Sequence, residues 1–216
     1  MSDLFFTSDQ HFGHSNIIKF CNRPFKDTLE MQETLIERFN AKVPKGSRVY
    51  MLGDMFWRTT KEADALAILG RLNGQHYYIL GNHEEVLERS EAVRAHFVWV
   101  KERAQLSNRE GVHPKIVLDH YAGRVWDGSH RGSWQLYGHS HAALPEQPSR
   151  SFDIGVDAWN FEPVSIEEVA EKMKIKQAEI DGAALLEQFK EGATVRTKYA
   201  YSAYGRGDDS PSGGYV

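Results

Sequence analysis

Cysteine is almost missing from this chain. The 216 residues include only one, Cys21, so a disulfide framework within the chain is impossible. An excess of basic residues is missing too: 26 Lys and Arg stand against 30 Asp and Glu, a net charge of −4. A protein that coats a duplex is usually basic, so charge alone does not point to non-specific nucleic-acid binding. No apolar run approaches membrane-spanning length. Met1-Ser2-Asp3-Leu4 sets no basic region ahead of an apolar stretch and does not read as a signal peptide. No internal repeat is visible. The default expectation is a soluble cytoplasmic protein.

The length suits one domain with a sizeable core, and two domains would be small. Residues 1–190 read as that domain. From about Glu191 apolar periodicity stops and Gly, Ser and Tyr dominate, so residues 191–216 read as a partly ordered tail. The Arg206-Gly207-Asp208 tripeptide in it is read as coincidence.

Short apolar or β-branched runs alternate with helical patterns, the mark of an α/β protein. Leu4–Ser8, Arg48–Leu52, Tyr77–Leu80, Ile116–Leu118, Gln135–Tyr137 and Phe152–Val156 read as strands. Phe97–Leu106 is a further candidate, with Asn108–Gly111 as its turn. Leu35, Ile36, Phe39 and Val43 share one helical face after an Asp27/Glu30 capping pair. Leu66, Leu69 and Leu72 mark a second helix ending near Asn73-Gly74, and a third pattern runs from His83 toward His96. Ser165 and Glu168 fit a capping box, with Val164 and Val169 as its hydrophobic staple. Helical spacing then continues to Ile180, and Asp181-Gly182 is the expected stop.

The polar residues fall in a pattern on this map. Asp9-Gln10-His11 follows the first strand, Gly53-Asp54 the second and Gly81-Asn82-His83-Glu84 the third. Asp119-His120 and Gly138-His139-Ser140-His141 follow the next two. Strand C-termini of an α/β sheet point into one crevice, so residues far apart in sequence should converge there. Carboxylate, imidazole and amide oxygen are donors for manganese, iron or zinc rather than for a thiolate site. Gly53, Gly81 and Gly138 would let the backbone turn tightly before each ligand. Two divalent ions would add four positive charges at one spot and attract anions to an acidic protein.

Together these blocks resemble the calcineurin-like metallophosphoesterase superfamily from Asp9 to about Trp159. The stretches Phe6-Thr7-Ser8-Asp9-Gln10-His11-Phe12-Gly13-His14, Phe20-Cys21-Asn22-Arg23-Pro24-Phe25 and Gly155-Val156-Asp157-Ala158-Trp159 are similar to its small bacterial and phage branch. The resemblance implies a four-layer α/β/β/α sandwich, two mixed sheets flanked by helices. It implies two divalent ions, manganese first, with iron, zinc or nickel as alternatives. Asp9, His11 and His141 would hold one ion, Asn82, His120 and His139 the other, and Asp54 would bridge them. A hydroxide between the ions would attack phosphorus in line, Asn82 would help position the phosphate, and His83 would be the general acid rather than a ligand.

Outside that set the reading stays open. His14 either touches the site or substrate, or caps the helix after it. Arg23 either grips a substrate phosphate or pins its own turn to a carboxylate. Arg58 stands four residues after Asp54, the offset at which related phosphoprotein phosphatases carry a phosphate-binding arginine; Leu80 stands where they carry another. Arg124, Trp126 and Arg131, with Tyr121, His130 and Trp134, lie between two ligand-bearing strands and would overhang the metals as a recognition loop. The expected substrate is a phosphodiester: a nucleotide, a cyclic nucleotide or an end of single-stranded nucleic acid. A phosphomonoesterase and a metal-binding scaffold with weak turnover are the alternatives. No role is assigned to His76, His96 or His113.

Overall fold

The structure is a computed structural model that describes residues 3–107, 109, 111–112 and 114–190. The proposed tail at 191–216, and Asn108 and Glu110 of the proposed turn, lie outside the described residues. Two mixed sheets flanked by helices make up the fold, as expected. In the first, β1 (Leu4–Thr7), β2 (Arg48–Met51), β3 (Gln75–Ile79) and β4 (Val100–Lys101) are parallel. Antiparallel β9 (Val164–Ser165) joins beside β1, giving the order β4-β3-β2-β1-β9. In the second, β5 (Ala104–Leu106) is antiparallel to β6 (Ile116–Leu118), while β7 (Trp134–Tyr137) and β8 (Ser151–Asp153) continue parallel to β6.

Side-chain alternation assigns the faces of the first sheet. Leu4, Phe6, Tyr50, Leu52 and Ile79 meet Ile116, Leu118, Leu136 and Phe152 in a core between the sheets. Phe5, Val49, Met51 and Tyr78 point the other way. There α1 (Ser15–Phe20), α2 (Thr28–Lys42), α3 (Glu62–Leu69), α4 (Glu85–Arg89) and α5 (Glu91–Ala95) cover them with Ile17, Leu35, Ile68, Val86 and Val93. Because both faces are buried, β1 and β2 read as near-continuous apolar runs. α6 (Ile166–Lys190) starts on the predicted box: Glu168 N–H donates to Ser165 Oγ, 3.2 Å, and Ser165 N–H to Glu168 Oε2, 2.8 Å.

Several boundaries differ from the sequence reading. The Phe97–Leu106 candidate is two strands, β4 and β5, and the chain leaves one sheet for the other between them. The third helical pattern breaks at Ser90, whose Oγ caps α5 by accepting from Val93 N–H. The Phe152–Val156 strand stops at Asp153, and Val156–Ala158 forms a 3-10 turn. α6 runs through Asp181-Gly182 to Lys190. An interior glycine costs a helix only about 0.5–1 kcal/mol relative to alanine, too little to stop it alone. No helix among the described residues is long and apolar enough to cross a membrane.

His76 on β3 is buried and pairs with His96: His76 Nδ1 lies 2.8 Å from His96 Nε2, and His76 Nε2 lies 3.1 Å from the Asn73 carbonyl. That carbonyl can only accept, so Nε2 carries the proton. Burial lowers the His76 pKa to about 4, against the pull of the Asn73 hydrogen bond. The unfolded chain therefore binds the extra proton first. The contribution of His76 is complete above the unfolded value near 6.5 and is lost as pH falls from there toward 4. Urea unfolding from pH 7 to pH 5 should show stability falling, with this residue adding up to about 1.4 kcal/mol per pH unit. His76→Gln should flatten that slope; an unchanged slope would mean His76 is not the group responsible.

Candidate metal centre

All the predicted ligands gather where the strands end. Asp9, His11 and His141 form one group, and Asp54, His120 and His139 another; within each, the donor atoms lie within 4.8 Å of one another. Asn82 joins the second, its Oδ1 3.1 Å from His120 Nε2. The groups share Asp54, whose Oδ2 lies 3.7 Å from both His11 Nε2 and His120 Nε2. Its Oδ1 faces the other way and accepts the backbone N–H groups of Asn82 and His83, each at 2.9 Å.

The donor set fits a pair of divalent cations. Asp9 Oδ1 and both ring nitrogens of His11 are buried without a hydrogen-bond partner, which a folded protein tolerates only where something else satisfies them. Burial pushes the Asp9 carboxyl up to about 8, partly opposed by His141 and Ser8. Burial and then the neighbouring His141 hold the His11 imidazole far below its usual range. His120 donates from Nδ1 to the Leu52 carbonyl, 2.7 Å, which turns the Nε2 lone pair toward Asn82 Oδ1. Two acceptors so close repel unless a cation lies between them.

Backbone conformation concentrates in the same place. Asp9, His11, Asp54, His139 and His141 all have positive φ, between 47° and 66°. Such conformations cost non-glycine residues on the order of 1–3 kcal/mol each and persist only where the surroundings impose them. The sharp turns thus fall on the ligands themselves. Gly53 does turn with positive φ, as expected, but Gly81 and Gly138 serve another purpose. A Cβ at Gly81 would collide with the Asp54 carboxylate, and one at Gly138 with Ser8 Oγ and Asp9 Oδ2. Closeness of approach, not turning, requires glycine at both.

Arg23 takes the second of its two expected roles. It is buried, and each of its five N–H donors has an acceptor. Nε and Nη2 reach Asp157 Oδ1 and Oδ2, each at 2.8 Å; Nη2 also reaches the Asp9 carbonyl, and Nη1 the Gln10 carbonyl and Met31 Sδ. The expected phosphate grip is therefore not available to it. Asp157 Oδ2 also accepts from His141 Nδ1, 2.7 Å, so an Arg23–Asp157–His141 chain fixes the ligand ring with Nε2 free. Burial opposes charge on His141, yet the bond to Asp157 and the charge of Asp9 carry its pKa above the usual value.

His14 does not cap α1, since its side chain makes no cap hydrogen bond. It is buried and stacks on Trp57, with centroids 3.6 Å apart and planes 3° apart, 5.5 Å from the ring of His11. Trp57 also lies 5.0 Å from His83, which is 5.6 Å from His11. Arg58 is exposed and rests over the Trp57 ring at 5.1 Å.

The proposed recognition loop is corrected in large part. Because β6 and β7 are parallel, the chain must return from the metal end of β6 to the far end of β7. Trp126 Nε1 donates to the Ser133 carbonyl, 3.1 Å, and Arg131 lines a cavity with Pro114 and Lys115, which precede β6. Trp126 and Arg131 thus belong to the opposite end of the sheet. Arg124 is exposed on the returning segment. Only Tyr121, immediately after His120, stays beside the ligands.

Three residues escaped the sequence reading, although two of them, Glu84 and Asp157, stand inside the motif blocks. Glu84 is a buried clasp whose Oε1 accepts from Gly81 N–H, Asp54 N–H and the Tyr78 hydroxyl, at 2.7, 3.0 and 3.1 Å. Asp157 is the carboxylate behind His141, and Trp57 is the wall beside His83. Cys21 comes within reach of His141 and Asp157, but burial pushes its thiol up to about 11 and His141 Nδ1 is already taken.

Comparison with known proteins agrees with this geometry. Residues 3–122 match the Calcineurin-like phosphoesterase family, and the chain belongs to that family. The match contains Asp9, His11, Asp54, Asn82, His83 and His120, while His139 and His141 follow it. An uncharacterised protein of Methanocaldococcus jannaschii is 32% identical over 173 residues, 77% of this chain and 89% of that one. The Gene 66 protein of Mycobacterium phage L5 is 27% identical over 184 residues, 74% of this chain and 88% of its own. The crystal structure of an Aquifex aeolicus protein of unknown function has a TM-score of 0.61 at 19% identity, covering 78% of this chain and 97% of that one; that likeness concerns the fold.

A cation held by Asp9, His11 and His141 would depend on the carboxylate behind it. Asp157→Asn removes no candidate ligand but weakens the hold on His141. Manganese affinity measured by calorimetry should fall about 10- to 100-fold, the usual effect of an outer partner. Unchanged affinity would show that His141 is positioned by something else.

Proposed function

We propose that the chain is a phosphodiesterase working with two divalent ions, manganese first. The observation that carries this reading is Asp54 Oδ2, equidistant at 3.7 Å from His11 Nε2 and His120 Nε2. One carboxylate oxygen there can serve both groups at once. Asp9, His11 and His141 would hold one ion, Asn82, His120 and His139 the other. When bound, the pair supplies an acidified water and neutralises charge on the phosphoryl oxygens.

The chain's own residues supply the rest. His83 delivers a proton to the departing ester oxygen, and the bond from its N–H to Asp54 Oδ1 sets its place relative to the bridging carboxylate. His14 and Trp57 wall that side and limit water around the departing group. Asn82 and His139 are exposed, whereas Asp9, His11 and His120 are buried, so substrate enters from the second group. A diester carries one negative charge and a monoester nearly two. Arg23, buried beside Asp9, has no donor left for a dianion, and this favours the diester. The candidates remain nucleotides, cyclic nucleotides and single-stranded nucleic-acid ends.

Purified protein with manganese should hydrolyse bis-(4-nitrophenyl) phosphate faster than 4-nitrophenyl phosphate and stop after exhaustive chelation. Turnover that survives chelation would refute the metal reading, and a faster monoester the diester preference. Asp54→Ala should be the most damaging single change because it removes a donor from both groups; two tightly bound ions in that variant would rule out bridging.

His83→Ala separates acid from ligand. As an acid, its loss should slow nucleotide esters by roughly 10²–10⁴-fold. The loss should be much smaller on 4-nitrophenyl esters, whose phenolate leaves unaided, with metal content unchanged. Equal losses on both esters with depleted metal would make His83 a ligand.

A further inference from the structure

Tyr121 is 48% exposed and belongs to neither apolar core. Its ring stands edge-on to two ligands of the second group, with centroids 4.9 Å from His120 and 4.7 Å from His139. Its backbone is nevertheless fixed on both sides. The N–H donates to Asp119 Oδ1, 3.0 Å, and the carbonyl accepts from Gln135 Nε2, 3.3 Å. Arg103 Nε holds the other Asp119 oxygen at 2.6 Å. A rigidly mounted aromatic in water at the mouth of a site is not explained by packing.

A cavity of about 500 Å³ opens beside it, walled by Leu80, Gly81, Glu102, Arg103, Asp119 and Tyr121. Ligand sites commonly span roughly 300–1,000 Å³. Its walls include chain neighbours of the second group, Gly81 before Asn82 and Asp119 and Tyr121 on either side of His120, and Tyr121 is the wall whose ring also meets His120 and His139. On the side of the first group, His83 lies against His11 and Trp57 against His83. The two groups therefore have different flanks, and a phosphodiester has two different arms.

We propose that Tyr121 is a stacking platform for a planar group on the ester arm that stays on phosphorus, so that aryl or nucleoside diesters are preferred to alkyl ones. This rests on the phosphodiesterase reading, in which His83 marks the side of the departing oxygen. A base or aryl ring laid on Tyr121 would occupy part of the cavity and hold the phosphorus over Asn82 and His139.

Methyl 4-nitrophenyl phosphate and bis-(4-nitrophenyl) phosphate share a leaving group and differ only in the retained arm. With manganese-saturated full-length protein, Tyr121→Ala should cut the kcat/KM preference for the bis-aryl ester by about tenfold, the scale of one base–aromatic stack. Tyr121→Phe should keep it. Calorimetric binding of diphenyl phosphate against methyl phenyl phosphate makes the same comparison without turnover. If both nitrophenyl esters turn over while Tyr121→Ala leaves both preferences unchanged, the platform is overturned and the phosphodiesterase reading stands. If neither ester turns over, yet Tyr121→Ala loses the preference for diphenyl phosphate, the platform stands and the phosphodiesterase reading falls.

Discussion

Asp54 divides its carboxylate between backbone and site. One oxygen accepts the N–H groups of Asn82 and His83, and the other looks toward His11 and His120. Its own N–H is held by Glu84, which also grips Gly81. The loops after β2 and β3 are thereby one unit. Asp9 does the same across the two sheets, its Oδ2 accepting from His139 N–H at 2.9 Å. Two acidic side chains thus set the relative height of four loops, and the imidazoles project from the frame they make. Deep burial would make these carboxylates costly as isolated charges. The backbone donors offset part of that cost, and the imidazoles gather around the remaining oxygens as donors that could hold a metal ion.

Most of this was legible because parallel strands obey a simple rule. Ligands placed after strands must converge at the strands' C-terminal rim, so Asp9, Asp54, Asn82, His120 and His139 could be brought together without coordinates. The capping box at Ser165 and Glu168 was legible for a comparable reason: both of its hydrogen bonds lie within four residues. The same rule, carried one step further, would have removed Trp126 and Arg131 from the site, because the return path of a parallel connection ends at the opposite rim.

The rest was hidden because it depends on pairings of long sequence separation. Arg23 and Asp157 are 134 positions apart, and nothing local says which of two plausible acceptors the guanidinium will find. The division of Phe97–Leu106 between two sheets turns on Glu102 and Arg103, a pair no pattern of apolar residues distinguishes from strand interior. Gly182 misled in the opposite direction. It looked like a terminator, but a helix stops where its neighbours stop holding it, and one glycine is a weak signal beside that.

The five candidate ligands with positive φ set residue choice and backbone ease against each other. Glycine would sit in those conformations without strain and would donate nothing to a cation. A substitution such as His139→Gly therefore relaxes the chain in the same step that dismantles the centre. For a lineage of this chain under selection for folding alone, the least resisted changes lie at His11 and His139, whose rings hold no part of the frame that Asp9 and Asp54 make. Those two imidazoles are what such drift would erase first.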